Sequence, residues 1–390
     1  MKKVLIGISL AVAGSVWLGN ANAVPSFAST TDKKCSYCHN AYPQLNQKGR
    51  AFKEAGYRLK EDLKDTSAKQ PFTFENFPIS GMIISRPYDK KSDGEAKIRA
   101  IHEVELFVAG AMNKDWSGFL EIEAEDETGF EPEVGPVVLA YRLNNAVNFQ
   151  ASWANAMWTD PYGLYGDHFR MTRGHVNPID NTYGGAEGKL RSNRQQLVIT
   201  GRPIKKLFYS VGYGGQADDA EGNDSRSLTA RVAFDITDNI MVGAFGMDGN
   251  TVESLTANDD VIPELDYSRY GLDFQGDFGG TRLQATYMSA KDDTTDDVGN
   301  RTGSESNYSA AIQGLYTFKT KSGKPTWVPV ARYETFTKND GDEDFAGLTL
   351  NLTYYFMENV KGYVEYFDEV NTPEGVDGVN RVTFQVYVGL

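Results

Sequence analysis

From about residue 77 to the end of the chain, apolar and polar side chains alternate in short runs separated by Gly-, Asp- and Asn-rich segments. A period of two is the mark of a strand with two unlike faces. Val382, Phe384, Val386, Val388 and Leu390 share one face, with Thr383, Gln385, Tyr387 and Gly389 on the other. Leu348, Leu350, Leu352, Tyr354 and Phe356 oppose Thr349, Asn351, Thr353 and Tyr355, and Leu228 to Ile236 repeats the pattern. Sixteen spans are predicted, near 77–87, 101–112, 116–126, 136–144, 147–158, 194–203, 206–216, 225–236, 240–248, 266–276, 281–291, 306–318, 326–337, 346–356, 360–368 and 380–390. Connections at 113–115, 145–146, 204–205, 237–239, 277–280, 319–325 and 357–359 are short, and the alternate ones are longer and polar. An even count with alternating turn lengths predicts an all-β outer-membrane barrel, apolar toward lipid and polar toward the lumen, with both termini at the short-turn, periplasmic side. A soluble β-sandwich has no reason to alternate its loop lengths in this way. Trp116, Tyr141, Trp153, Tyr287, Tyr316, Trp327 and Tyr363 fall where interfacial girdles form.

The N-terminus supports export. Lys2 and Lys3 precede an apolar stretch from Val4 to Leu18, and Ala21-Asn22-Ala23 supplies a small-residue cleavage site, so residues 1–23 read as a signal peptide. No later stretch approaches the roughly 20 apolar residues of a spanning helix. Charge then divides the remainder: 24–70 carries net +4 within a chain of formal net charge −14, and 71–390 is strongly acidic. Such a body excludes nucleic acid as a natural partner and attracts cations.

Both cysteines lie in Cys35-Ser36-Tyr37-Cys38-His39, the C-x-x-C-H pattern of covalent c-type haem attachment. Two thiols reach the two vinyl groups from one turn of chain, and the adjacent imidazole becomes the proximal iron ligand. A zinc ribbon would want a second ligand pair, and a structural disulfide has no use for the histidine. Residues 24–70 are therefore predicted to be a small monohaem cytochrome segment and 71–390 the barrel. Leu45, Phe52 and Leu59, spaced by sevens, predict a helix from about Tyr42 to Leu63, with Pro43 in its first turn and with Gly49 and Gly56 permitting close approach. Met82, His102, His168 and His175 are candidates for the sixth ligand, and open coordination is the alternative.

Strand parity places Glu103 and Glu105 beside Glu121, Glu123 and Glu125 on the lumen faces of two adjacent strands. Gathered carboxylates suit a hard divalent cation such as Mg, Ca, Mn or ferrous iron, although acidic lumens also occur without one. The long connection 159–193 predicts a loop folded into the pore or exposed outside it. Asp292–Asp297 and Asn339–Asp344 read as acidic external loops.

Pro25-Ser26-Phe27-Ala28, the Cys35–His39 motif, Tyr42-Pro43-Gln44-Leu45-Asn46 and Gly49-Arg50-Ala51-Phe52-Lys53 through Gly56-Tyr57 resemble the fused monohaem cytochrome-porins of iron-oxidising bacteria. The likeness covers the motifs from Val24 to Tyr57 closely and the barrel in architecture only. It implies one covalent haem c held by Cys35, Cys38 and His39. It further implies oxidation of extracellular Fe(II) and delivery of the electron to a periplasmic cytochrome c or copper protein, with the Glu103–Glu125 carboxylates as candidates for attracting iron. Two other functions fit the same sequence: a diffusion porin with a haem plug or sensor, and a conduit carrying electrons outward to external acceptors.

Overall fold

A computed structural model of the chain describes residues 25–61, 63, 78–164, 170–174, 188–255, 261–296 and 298–390. The predicted signal peptide, the predicted boundary near residue 70, His168 and His175 lie outside the described residues. Sixteen antiparallel strands close into one barrel. They are β1 (Ile79–Lys91), β2 (Lys97–Ala111), β3 (Trp116–Glu125), β4 (Glu133–Arg142), β5 (Asn148–Asn155), β6 (Asn193–Ile204), β7 (Leu207–Gly214) and β8 (Arg226–Thr237). The remainder are β9 (Ile240–Asn250), β10 (Asp266–Phe278), β11 (Thr281–Thr295), β12 (Arg301–Tyr316), β13 (Trp327–Lys338), β14 (Glu343–Met357), β15 (Val360–Asn371) and β16 (Asn380–Gly389). Each pairs with its sequence neighbour, and β16 closes on β1, where Gly81 and Leu390 exchange backbone hydrogen bonds of 3.1 and 2.8 Å. Closure leaves no strand edge unpaired, which a lipid environment requires.

The two faces separate as the alternation predicts. In β14, Leu350, Leu352 and Phe356 are exposed on the outer surface, whereas Thr349, Asn351, Thr353 and Tyr355 are buried in the lumen. Aromatic pairs ring the short-turn end: Trp116 with Tyr141, Tyr316 with Phe318 and Trp327 with Tyr354, their centroids 4.5–5.0 Å apart. Tyr363 is not part of that girdle; it stands on the lumen face of β15 and is buried.

Inside, buried charges pair along and across the strands. Arg231 meets Asp273 at 2.6 Å, Arg269 meets Asp292 at 2.7 Å, and Arg332 meets Glu334 at 3.2 Å. Asp292 is thus a buried strand residue, not part of an external loop: β11 runs on to Thr295, and β14 begins at Glu343, so both predicted acidic loops are shorter than their charge suggested. The residues described between β5 and β6 turn into the lumen. Met157, Tyr162, Leu164 and Leu190 pack against Phe208, Met241, Phe245, Met247 and Met288 from the wall. This apolar patch on otherwise polar lumen faces is the core that the in-folded loop covers.

The head sits inside the short-turn mouth. It comprises α1 (Pro25–Thr31), α2 (Cys35–Cys38), a short antiparallel ladder joining His39–Ala41 to Gln44–Leu45, and α3 (Gln47–Glu54). The predicted helix from Tyr42 to Leu63 is therefore only eight residues long, and Pro43 belongs to the turn before it. Leu45, Phe52 and Leu59 are all buried, so the spacing of seven reported burial, which the barrel wall and a cavity provide, not one continuous helix.

Candidate functional site

Local chemistry shapes the motif. The α3 N-cap is Asn46, whose Oδ1 accepts from Lys48 N and Gly49 N at 2.9 and 3.0 Å. The same side chain donates through Nδ2 to Tyr37 O at 3.0 Å, and Asn46 N donates to Cys38 O at 2.9 Å. One residue thus starts the helix and holds the Cys35–Cys38 turn against it. Gly49 makes the approach possible: a Cβ there would stand 2.2 Å from Cys38 O. Gly56, with φ +63°, turns the chain beside Ser117 of the wall.

Cys35 and Cys38 are not joined in a disulfide; Cys35 is buried and Cys38 half-buried. Burial pushes the Cys38 thiol up to about 11, against a small opposing influence of Lys48. The His39 ring faces the same space. Its Nδ1 lies 3.1 Å from Pro43 O, which fixes the proton on Nδ1 and leaves Nε2 as a lone-pair donor. Burial, with lesser contributions from Lys361 and Arg282, lowers the His39 pKa to about 4 despite that carbonyl. The imidazole is consequently neutral at physiological pH, the form that binds metal.

These three residues open on a cavity of about 660 Å³ between the head and the wall. Phe27, Leu45, Phe52, Tyr57 and Leu59 supply an apolar side from the head, and Phe107, Phe119 and Trp158 another from the barrel and loop. The head aromatics interlock, Phe27 lying 5.2 Å from Phe52 and 5.1 Å from Tyr57. Two adjacent thiols, a neutral imidazole with an oriented Nε2 and a cavity in the range of ligand cavities, with aromatic side chains among its lining, fit a c-type haem. Met82 and His102 both line this cavity, and His102 Nδ1 is engaged by Asp126 at 2.8 Å.

Polar contacts dock the head. Arg202 grips Glu54 through two bonds of 2.6 and 3.0 Å and also meets Asp235 and Tyr162. Arg282 reaches Gln44 Oε1 and Leu45 O at 2.7 and 2.8 Å while paired with Asp277. Arg58, buried, donates to Asn113 O and Trp116 O in the β2–β3 turn. Lys53, its pKa lowered to about 8 by burial, donates to Trp158 O and Asp160 O of the in-folded loop. No sequence pattern announced these contacts, because each joins residues that only the closed barrel brings together.

The predicted carboxylates also gather in this cavity. Glu103 pairs in register with Glu125, Glu105 with Glu123, and Phe107 with Glu121, all five carboxylates lining the same space. Carboxylate oxygens of Glu103, Glu123 and Glu125 lie within 4.8 Å of one another, and a ring nitrogen of His102 with carboxylate oxygens of Asp126 and Glu127 forms a second group toward the loop end. At such spacing, two unit charges repel by roughly 3 kcal/mol at an effective dielectric constant of 20.

No known family's sequence profile matches the chain, and no curated protein is similar to it in sequence. Solved structures are similar in fold. OmpT of Vibrio cholerae with loop L8 deleted superposes with a TM-score of 0.58 at 16% identity over 83% of this chain and 99% of that one. An anion-selective porin from Comamonas acidovorans gives 0.58 at 12% identity over 83% and 99%. Salmonella typhi OmpF in complex with daunomycin gives 0.59 at 14% identity over 80% and 97%. The chain is a sixteen-stranded barrel with the fold of outer-membrane porins, bearing a head inside one mouth.

Proposed function

We propose that the protein is an outer-membrane electron conduit that holds one haem c in its lumen, oxidises extracellular ferrous iron and delivers the electron to a soluble periplasmic cytochrome or copper protein. The observation that carries this reading is the placement of the C-x-x-C-H turn: Cys35, Cys38 and His39 line a cavity inside the barrel. A haem bound there supplies reversible one-electron chemistry at its iron. Cys35 and Cys38 would attach it, and His39 would offer Nε2 while Pro43 O holds the ring. Phe27, Phe52, Phe107 and Phe119 keep water from its faces. The β2–β3 carboxylates present negative charge to a cation descending from the long-loop side. Lys48 and Lys60 of the head and Lys205 of the β6–β7 turn are exposed around the opposite mouth, where they suit an acidic carrier. The closed barrel insulates the site from lipid and separates donor from acceptor.

The experiment is a stopped-flow trace of oxidised, haem-loaded protein mixed anaerobically with Fe(II). Growth of the reduced α-band that saturates in iron is expected. Reduction by dithionite with none by iron would remove the ferrous-oxidase reading. Two observations favour a second reading, a diffusion porin with a haem plug: the porin fold itself, and a cavity of about 1060 Å³ between the head and the β3–β8 side of the mouth. That reading predicts steady solute conductance in planar bilayers and a redox state indifferent to iron.

A further inference from the structure

Several acids on the lumen face are paired with arginine. Asp273, Asp292, Asp277 and Glu334 each meet an arginine within 3.2 Å. Glu103, Glu105 and Glu125 do not: among the described residues no lysine or arginine forms an ion pair with any of the three, and the His102 ring stands 4.0 Å from Glu103. Glu105 is only 8% exposed, its Oε2 receives no hydrogen bond, and the carboxylates of Glu103, Glu121 and Glu123 repel its charge. A buried carboxylate set among like charges is costly unless a positive charge compensates it. The strand pairing fixes the cluster rigidly, because Glu103 lies opposite Glu125 and Glu105 opposite Glu123.

We infer that Glu103, Glu123 and Glu125, backed by Glu105, form a discrete binding site for one hard divalent cation inside the lumen. Oxygen-only ligands on adjacent strands select ions of the Mn, Fe(II), Mg and Ca class over softer metals. The site lies on the wall of the cavity that also receives His39. The assignment rests on the lumen charges alone. Where the conduit reading also holds, the site is the station at which ferrous substrate waits.

Full-chain protein in detergent is titrated with Mn(II) at neutral pH, and free Mn(II) is followed by its EPR signal. One ion per chain is expected, with Kd on the order of 10⁻⁵ to 10⁻⁴ M. Affinity should fall at least about tenfold in Glu123→Gln/Glu125→Gln and be unchanged in Asp218→Asn/Asp219→Asn, which alters a connection on the long-loop side. Glu103→Gln/Glu105→Gln is the second pair, and heat-modifiable migration on gels reports that each barrel is folded. Mn(II) binding that is equal in all variants, or only weak binding spread over many sites, overturns the assignment. If both pairs fail to fold, Ca(II) competition on the unaltered protein decides: displacement of a single Mn(II) sustains the site, and no saturable binding removes it. A chain that binds Mn(II) here but is not reduced by Fe(II) keeps the site and loses the iron-oxidase reading. Iron-driven reduction without saturable Mn(II) binding does the reverse.

Discussion

Two segments fill the lumen, and they are held by different physics. The loop between β5 and β6 lies in an apolar bed: Met157, Tyr162, Leu164 and Leu190 against Phe208, Met241 and Phe245. The head adds to a smaller apolar contact, Ala41 and Tyr42 against Leu315, Val328 and Tyr355, a set of directional ones, Arg202 to Glu54, Arg282 to Gln44 and Arg58 to the β2–β3 turn. Apolar burial is continuous and indifferent to exchange of partners, so the loop is part of the barrel's core. Charge-assisted bonds are few and specific, so the head is a docked cartridge whose attachment can be weakened without unfolding the wall.

The largest separation of the two should come from Cys35→Ser/Cys38→Ser. Covalent haem staining is expected to vanish entirely while the barrel keeps its heat-modifiable migration; loss of the folded band would tie the head to the core. Leu190→Ala should act on the loop side. Leu190 is 2% exposed, and truncation in a packed core costs about 2–5 kcal/mol, read as a lower barrel-unfolding midpoint in guanidinium. A shift no larger than that of an exposed-site control would deny the loop its core role. Arg202→Ala should cost docking about 2–4 kcal/mol, below the figure for a fully buried pair because both side chains are partly exposed. Its readout is a rise in bilayer conductance and faster proteolysis within α3 at an unchanged unfolding midpoint. The smallest effect is with pH, in haem-free protein. His39 has a docked pKa of about 4 and an ordinary value of 6.5, so between these pH values the released head binds more protons than the docked one. Docking should weaken as pH falls from 6.5 toward 4 and stay flat above 6.5. Proteolytic accessibility that is constant across that window would show that the ring is not desolvated by docking.

The outer wall was legible because lipid imposes the same demand on every strand: Leu228, Val232 and Phe234 point out whatever their neighbours are. Strand ends on the long-loop side were harder. Asp292 reads as loop because it is acidic, and its burial is matched by Arg269, which reaches it diagonally from the adjacent strand. The head shows the opposite error, a helix drawn too long. Leu45, Phe52 and Leu59 had the spacing of one face, yet the surface that buries them belongs to the barrel and the cavity. The carboxylate cluster was readable, since parity along β2 and β3 needs only a short turn between them. The absence of a basic partner for Glu105 was not, because it depends on every other strand around the ring.

At the mouth, one guanidinium joins all three parts of the molecule. Arg202 belongs to the wall and simultaneously bonds Glu54 of the head, Tyr162 of the loop and Asp235 of the next strand but one. None of the three can shift at that point without surrendering a bond to the others. In the language of masonry it is a keystone, and the assembly it locks has to be loaded from all sides before it bears.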